Sequence, residues 1–183
     1  MNTKITDYHR YIDSVLEEKN LRIVRITKEY MNENLYDIME FVNKIRNEFK
    51  NLYGWEKENK EYFLNPLVDK WKYSFVITDS HKSPCMISIN SRYSDRIHLH
   101  TVLVKKEYRG SGLVKHMLLK TAETAIENGI PKIELYCQKT NIGALILYLR
   151  SGFEIDSIRN NKDLLLVADS EKTRKFCYDS TRD

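Results

Sequence analysis

Apolar residues at Leu35, Ile38, Met39, Val42, Ile45, Phe49 and Leu52 recur at helical spacing and predict one long amphipathic helix. A second series, Leu113, Val114, Met117, Leu118, Ala122, Ala125 and Ile126, predicts another. Gly129 suits a left-handed cap after it, and Pro131 blocks its continuation. Ile12, Val15 and Leu16 suggest a shorter amphipathic helix over residues 6–18, and residues 56–72 read as a poorer helix or a lid. Elsewhere the pattern turns to strands. Leu21–Thr27, Tyr73–Thr78, Met86–Tyr93, Ile97–Val104 and Ile133–Cys137 predict five, the second and third joined as a hairpin by the turn cluster Asp79–Pro84. Thr140 or Asn141 can cap a helix that Gly152 ends, and Phe153–Ile158 with Leu164–Val167 predict a closing strand pair. The charged tail from Ser170 is expected to be partly mobile. Antiparallel hairpins come first and a strand–helix–strand unit later, which predicts a mixed α/β (α+β) sandwich rather than a doubly wound sheet.

A chain of 183 residues suits a single domain, 1–183, able to bury a proper core. Its 42% hydrophobic and 31% charged residues are those of an ordinary globular protein. No apolar run reaches the roughly 18 residues that a membrane span needs, so no membrane partner is expected. Met1–Asp7 lacks the apolar core of a secretion signal, which predicts a cytoplasmic protein. Cys85, Cys137 and Cys177 form no Cys-x-x-Cys pair and read as reduced structural thiols. The net charge of +4 includes a cluster at Lys105, Lys106, Arg109, Lys115 and His116, either a solvated basic face or an attraction for a polyanionic ligand. The patch is small and no recognition motif accompanies it, so nucleic acid is not an expected partner. His98 and His100 form a His-x-His pair with no evident third ligand, and no metal is expected.

The chemistry concentrates in two segments. In Val104–Leu113 a strand runs into a helix through Arg109-Gly110-Ser111-Gly112. Glycines let main chain approach a ligand, and a helix start exposes free N–H groups and the positive end of the dipole, where phosphate oxygens bind. The turn is neither a Walker loop nor a dinucleotide fingerprint, since position 115 is Lys. The second segment is Asn141-Ile-Gly-Ala144-Leu-Ile-Leu-Tyr148-Leu-Arg-Ser-Gly152-Phe153.

With both segments in this order the chain resembles the GNAT superfamily of acetyl-CoA-dependent N-acetyltransferases, most clearly over residues 97–153. Val104, Arg109 and Gly112 match the family's [Arg/Gln]-x-x-Gly-x-[Gly/Ala] cofactor motif with its preceding strand valine. Asn141, Ala144, Tyr148, Gly152 and Phe153 match its later motif. Val114 departs from the family's Gly or Ala, and Lys106 from its frequent Pro. The resemblance implies the GNAT fold, a mixed and mostly antiparallel central sheet flanked by helices. It implies acetyl-CoA as the acyl donor co-substrate and a primary amine, on a small molecule or a protein, as the acceptor. Attack would be direct in a ternary complex, because no cysteine occupies either motif.

By the same resemblance the backbone of Val102, Leu103 and Val104 holds the acetyl and pantetheine arm. That of Gly110, Ser111, Gly112, Leu113, Val114 and Lys115, behind Arg109, wraps the pyrophosphate. Asn141 either bonds the cofactor arm or only caps its helix. Tyr148 either protonates the departing thiolate or packs in the core beside Leu145 and Leu149. His98 and Glu134 lead the candidates for the base, with His100 and Tyr136 on the same strands. Tyr53, Trp55, Tyr62, Phe63 and Trp71 either shape the acceptor pocket or pack as core. Dimers are common in the family, which adds a homodimer to the expectations. A cofactor-sensing module of the same fold, binding acyl-CoA without turnover, is the alternative.

Overall fold

The computed structural model describes residue 14 and residues 16–179. In chain order it contains β1 (Arg22–Arg25), α1 (Lys28–Glu33), α2 (Leu35–Tyr53), α3 (Lys60–Leu64), α4 (Lys70–Tyr73), β2 (Phe75–Thr78), β3 (Pro84–Tyr93) and β4 (Arg96–Val104). A 3-10 turn (Lys106–Tyr108) leads to α5 (Leu113–Glu127), β5 (Lys132–Gln138), α6 (Ile142–Arg150), β6 (Glu154–Arg159), β7 (Asp163–Asp169) and α7 (Ser170–Asp179). The helix expected over residues 6–18 lies outside the described residues except at its end, where Leu16 is buried.

The seven strands form one sheet in the order β1-β2-β3-β4-β5-β7-β6. Every neighbouring pair is antiparallel except β4 with β5, joined by the α5 crossover. One face carries α1, α2 and α3, with Met31, Ile38, Val42, Ile45 and Phe63 packed on Val76, Ile87, Ile89 and Leu103. The other carries α5, α6 and α7, where Leu118, Leu119, Tyr148 and Cys177 meet Ile97, Leu99, Ile133, Leu135 and Leu166. This is the mixed sandwich expected from the pattern, with the mostly antiparallel, helix-flanked sheet that the resemblance implies.

Two expectations change. Residues 56–72 do not form one helix but contribute the short helices α3 and α4, because Pro66 interrupts the run. Lys70 completes this segment. It is almost wholly buried, and its Nζ donates to the carbonyls of Tyr62, Phe63 and Asn65 at 3.0, 2.7 and 3.2 Å, at the C-terminal end of α3 where carbonyls lack helical partners.

From Ser170 to Asp179 the tail forms helix α7. Asp169 caps it by accepting the Lys172 N–H at 2.9 Å. The Ser170 N–H and hydroxyl donate to the carbonyls of Pro131 and Ile130 at 2.8 and 2.9 Å. Thr173 and Cys177 are buried one turn apart, while Glu171, Lys172 and Lys175 face water. The charges that suggested mobility belong to one exposed face.

Candidate active site

The site begins with a mismatch of strand lengths. β4 and β5 pair in parallel only from Arg96↔Lys132 to Leu99↔Leu135, yet β4 continues to Val104 and β5 to Gln138. Past Leu99 the two strands part. A bulge in β4 accompanies the split: Ile89 pairs with Thr101 and Asn90 with Leu99, so His100 is the extra residue. Bulges bend a strand and re-aim its side chains.

The open edge of β4 carries free polar groups. Lys105 donates its N–H to Cys85 on β3 at 2.9 Å. Main-chain direction alternates along a strand, so Val102 and Val104 turn their N–H and C=O groups away from β3 and into the split. Consistent with this, the Val104 carbonyl accepts from Arg109 Nε at 3.1 Å. Arg109 also pairs with Glu48 at 2.7 Å and lies 4.8 Å over the Phe49 ring. Its guanidinium thus ties the end of β4 to α2.

The glycine turn has the geometry of an anion cradle. Gly110 and Gly112 have φ of 80° and 87°, in the left-handed region. The N–H groups of Arg109, Ser111, Lys115 and His116 are used within the turn, but those of Gly110, Gly112, Leu113 and Val114 meet no acceptor among the described residues. The Ser111 hydroxyl donates to the Tyr108 carbonyl at 2.6 Å. Of the basic cluster, Lys105 pairs with Glu107 at 3.2 Å and Arg109 with Glu48, while Lys106 and Lys115 have no ion-pair partner among the described residues. His116 is not part of that positive surface. It is buried, and burial, aided by Lys19 and Lys115, pushes its imidazole down to about 4, so it is neutral at pH 7.

Two adjoining cavities fill the split. The larger, about 530 Å³, runs from the glycine turn past Val102–Val104 to α6. The smaller, about 240 Å³, lies between the diverging strands and is lined by Arg46, His100, Thr101, Tyr136, Gln138 and Asp163 among others. Trp55, Asn141 and Tyr148 border both. Phe49, Tyr53 and Trp55 cluster at centroid distances of 5.3 to 5.4 Å, with Trp55 lining both cavities. Tyr53 Oη donates to Asn141 Oδ1 at 3.4 Å, and Gln138 Nε2 donates to the Tyr53 carbonyl at 3.0 Å, which ties the end of α2 across the gap. Asn141 Oδ1 also accepts the Ala144 N–H at 3.4 Å as the cap of α6.

Tyr148 is 7% exposed and packs edge-on to Phe153 at 5.5 Å. Burial, with the Cys137 thiol beside it, raises its phenol above tyrosine's ordinary value. Gly152 explains the end of the second motif: its φ is 89°, and a Cβ there would come within 3.0 Å of Phe176 on α7.

The candidate bases form a cluster on the sheet face. The parallel register sets His98 beside Glu134, with Nδ1 3.0 Å from Oε1. Arg96 donates to Oε2 of the same carboxylate at 2.9 Å. An ionised carboxylate only accepts, so His98 Nδ1 is the donor of this bond. Neither His98 nor Glu134 lines the cavities. His100 does, with its ring centroid 4.6 Å from that of His98 and its Nε2 2.6 Å from Ser91 Oγ. Burial, with His98 and Lys70 nearby, pushes His100 down to about 4. Of the aromatic residues, Trp55 and Tyr53 shape the junction. Phe63 is core, Tyr62 bonds the Thr101 hydroxyl, and Trp71 packs against the core and the Lys70 ammonium.

Arg46, Thr101, Gln138 and Asp163 line the smaller cavity without having been singled out from the sequence. The signal that could have found Gln138 is the alternation of Glu134, Tyr136 and Gln138 with Ile133, Leu135 and Cys137, which puts it on a polar strand face. Asp163 reaches the cavity through its antiparallel partnership with Gln138, which no local pattern signals.

Comparison with known proteins gives the family and the fold. The model of the Acetyltransferase (GNAT) family matches residues 36–153. An uncharacterized N-acetyltransferase of Methanocaldococcus jannaschii is 23% identical over 157 residues, 82% of this chain and 70% of that one. The crystal structure of PaiA N-acetyltransferase from Thermoplasma acidophilum in complex with coenzyme A superposes with a TM-score of 0.69 at 18% identity, covering 81% of this chain and 98% of that one. The ribosomal-protein-S18-alanine N-acetyltransferase of Escherichia coli superposes with a TM-score of 0.63 at 16% identity, covering 81% and 93%. Likenesses at such identity speak for the fold.

Proposed function

Because the chain belongs to the GNAT acetyltransferase family and is an acyltransferase by that membership, we propose that it transfers an acetyl group from acetyl-CoA to a primary amine by direct attack in a ternary complex. The observation that carries this reading is the junction of the two cavities. Free main-chain amides border one side, the Tyr148 phenol stands at the meeting point, and a second compartment opens beyond it.

The residues present fit the donor. Four N–H groups of the glycine turn with no acceptor among the described residues, the start of α5, and Lys106 and Lys115, which have no ion-pair partner among the described residues, suit a diphosphate. The larger cavity past Val102–Val104 suits an extended arm, for which the Asn141 side chain bordering the cavity offers a polar group. Bound acetyl-CoA supplies an activated acyl carbon and a thiolate leaving group. Amides of Val102 and Val104 polarise the thioester carbonyl, a preorganised contribution that is usually the largest in such reactions. Tyr148 hydrogen-bonds the departing sulfur. The amine must lose a proton to attack. That proton passes through His100 or a water to His98, whose orientation Glu134 holds.

No described helix is long and apolar enough to cross a membrane. The test is thiol release from acetyl-CoA across a panel of small and peptidyl amines, with cofactor-induced thermal stabilisation measured in parallel. Stabilisation with amine-dependent thiol release supports the enzyme. Stabilisation without release for every amine identifies an acyl-CoA sensor, and no stabilisation removes the cofactor site.

A further inference from the structure

Arg46, His100 and Asp163 are among the residues lining the 240 Å³ cavity. Arg46 is matched: its guanidinium pairs with Glu58 at 2.8 Å and lies 5.9 Å from the Trp55 ring centre. His100 is neutral at pH 7, being pushed down to about 4. Asp163 differs from both. It has no ion-pair partner among the described residues. Arg159, its cross-strand partner on β6, lies instead over the Tyr136 ring at 4.8 Å. The carboxylate also acts inward: it helps to raise the thiol of Cys137, which lines the same cavity. The cavity lining therefore includes one carboxylate with no ion-pair partner among the described residues.

The position of that charge bears on what the acceptor must look like. A carboxylate gripping the reacting ammonium would favour its protonated form and oppose attack, which needs the free amine. A carboxylate gripping a second, non-reacting cation carries no such penalty and orients the molecule. The available volume corresponds to about eight water molecules at roughly 30 Å³ each, enough for a short aliphatic chain.

We propose that the acceptor is a small aliphatic amine bearing a second cationic group, and that Asp163 recognises that second charge while the first amine faces the Val102–Tyr148 junction. The proposal rests on the acetyltransferase reading for the reacting amine, and on the cavity's unmatched carboxylate for the class of substrate. No new chemical step is involved: the amine nitrogen forms the bond to the acyl carbon, the carbon–sulfur bond breaks, and the second ammonium keeps its proton throughout.

The experiment compares 1,4-diaminobutane with butylamine, chains of equal length that differ by one charge. The readouts are acetyl-CoA thiol release and calorimetric titration of each amine onto the coenzyme A-saturated protein. Wild type should prefer the diamine by about tenfold or more in kcat/KM and in affinity, the scale of one charge-assisted contact. Asp163→Asn should bring that ratio close to one, with coenzyme A-induced stabilisation measured as the check of folding. Equal handling of the two amines by wild type, an unchanged ratio in Asp163→Asn, or transfer confined to peptidyl amines would each overturn the proposal while leaving the acetyltransferase reading in place. Tight diamine binding lost in Asp163→Asn, without thiol release from any amine, would uphold the recognition site and overturn the catalytic reading instead.

Discussion

Replacing Tyr148 by Phe separates its two possible roles, packing and proton donation. The ring stays against Phe153, 5.5 Å away between centroids, so only a hydroxyl is lost from a buried site. Stability should therefore change by less than about 1 kcal/mol. The effect on turnover follows from the acidities. Even at its ordinary value near 10, a phenol gives its proton to a thiolate whose acid titrates near 8.5 at an uphill cost of about 2 kcal/mol. Burial raises the Tyr148 phenol further, so complete transfer is harder still. Tyr148 is thus better suited to hydrogen-bond the sulfur as charge develops than to surrender its proton before release. That places its contribution at the low end for general acids, about 10²-fold in kcat, or about 2.7 kcal/mol. Steady-state kinetics with a reactive amine should show kcat reduced by this amount and KM for acetyl-CoA nearly unchanged. The direction of the shift sets a second expectation: any alkaline limb of the wild-type kcat profile below about pH 10 arises elsewhere and persists in the variant. A kcat within twofold of wild type would refute the role and return Tyr148 to the core.

Gly112→Ala tests the cradle: the site has room for a methyl group, His116 Nε2 being 3.9 Å from the Cβ position, but φ of 87° strains any other residue. Denaturant unfolding should show a loss of about 1–2 kcal/mol, and titration a weaker coenzyme A complex; unchanged affinity would count against a main-chain diphosphate site. His100 and His116, both pushed down to about 4, bind protons in the unfolded chain near pH 6.5 before they do so in the fold. Stability is then fully present above about pH 6.5 and lost as pH falls towards 4, by up to about 3 kcal/mol for each histidine. Unfolding free energies at pH 7 and 4.5 measure it, and His116→Gln should flatten the slope; an equally steep slope in that variant would exclude His116. Lys70, pushed down to about 8 by burial, has the unfolded chain holding more protons between about pH 8 and 10.5, so it makes stability rise with pH across that window. Lys70→Met should abolish that part of the rise when the two proteins are unfolded in parallel, and identical pH slopes would argue that the ammonium is solvated.

What could be read from the chain, and what could not, divides by the range of the interactions involved. Helices α2 and α5 declare themselves because each residue's burial depends on its own helix face, with Ile38, Val42 and Ile45 on one stripe. The glycine turn is legible for the same reason: Gly110 and Gly112 need positive φ whatever lies around them. Helix α7 was hidden because two of its three buried positions, Ser170 and Thr173, are polar and only Cys177 is apolar, too little to mark a helical stripe. Their burial becomes visible only once α5 is in place. The acceptor side is still less legible. His98 meets Glu134 through the parallel register of β4 and β5, Asp163 meets Gln138 through that of β5 and β7, and His100 enters the cavity because β4 bulges against β3. Register is set between strands distant in the sequence, so the residues it assembles carry no local signature.

The same distinction explains how Val114 can occupy a position where the family carries Gly or Ala. Its side chain packs partly on the core formed by Leu113, Met117 and Leu118, while its N–H remains without an acceptor beside the larger cavity. A cradle made of main-chain donors asks of its residues mainly that they hold the backbone, and Gly110 and Gly112 supply the two left-handed conformations that do so. A side chain at 114 is tolerated to the extent that it turns inward. Val114→Ala should then cost packing, about 1 kcal/mol or less in unfolding free energy, and leave coenzyme A affinity within about threefold. Markedly tighter binding in that variant would show that the valine crowds the ligand, and that the cradle in this chain is constrained by a side chain as well as by its backbone.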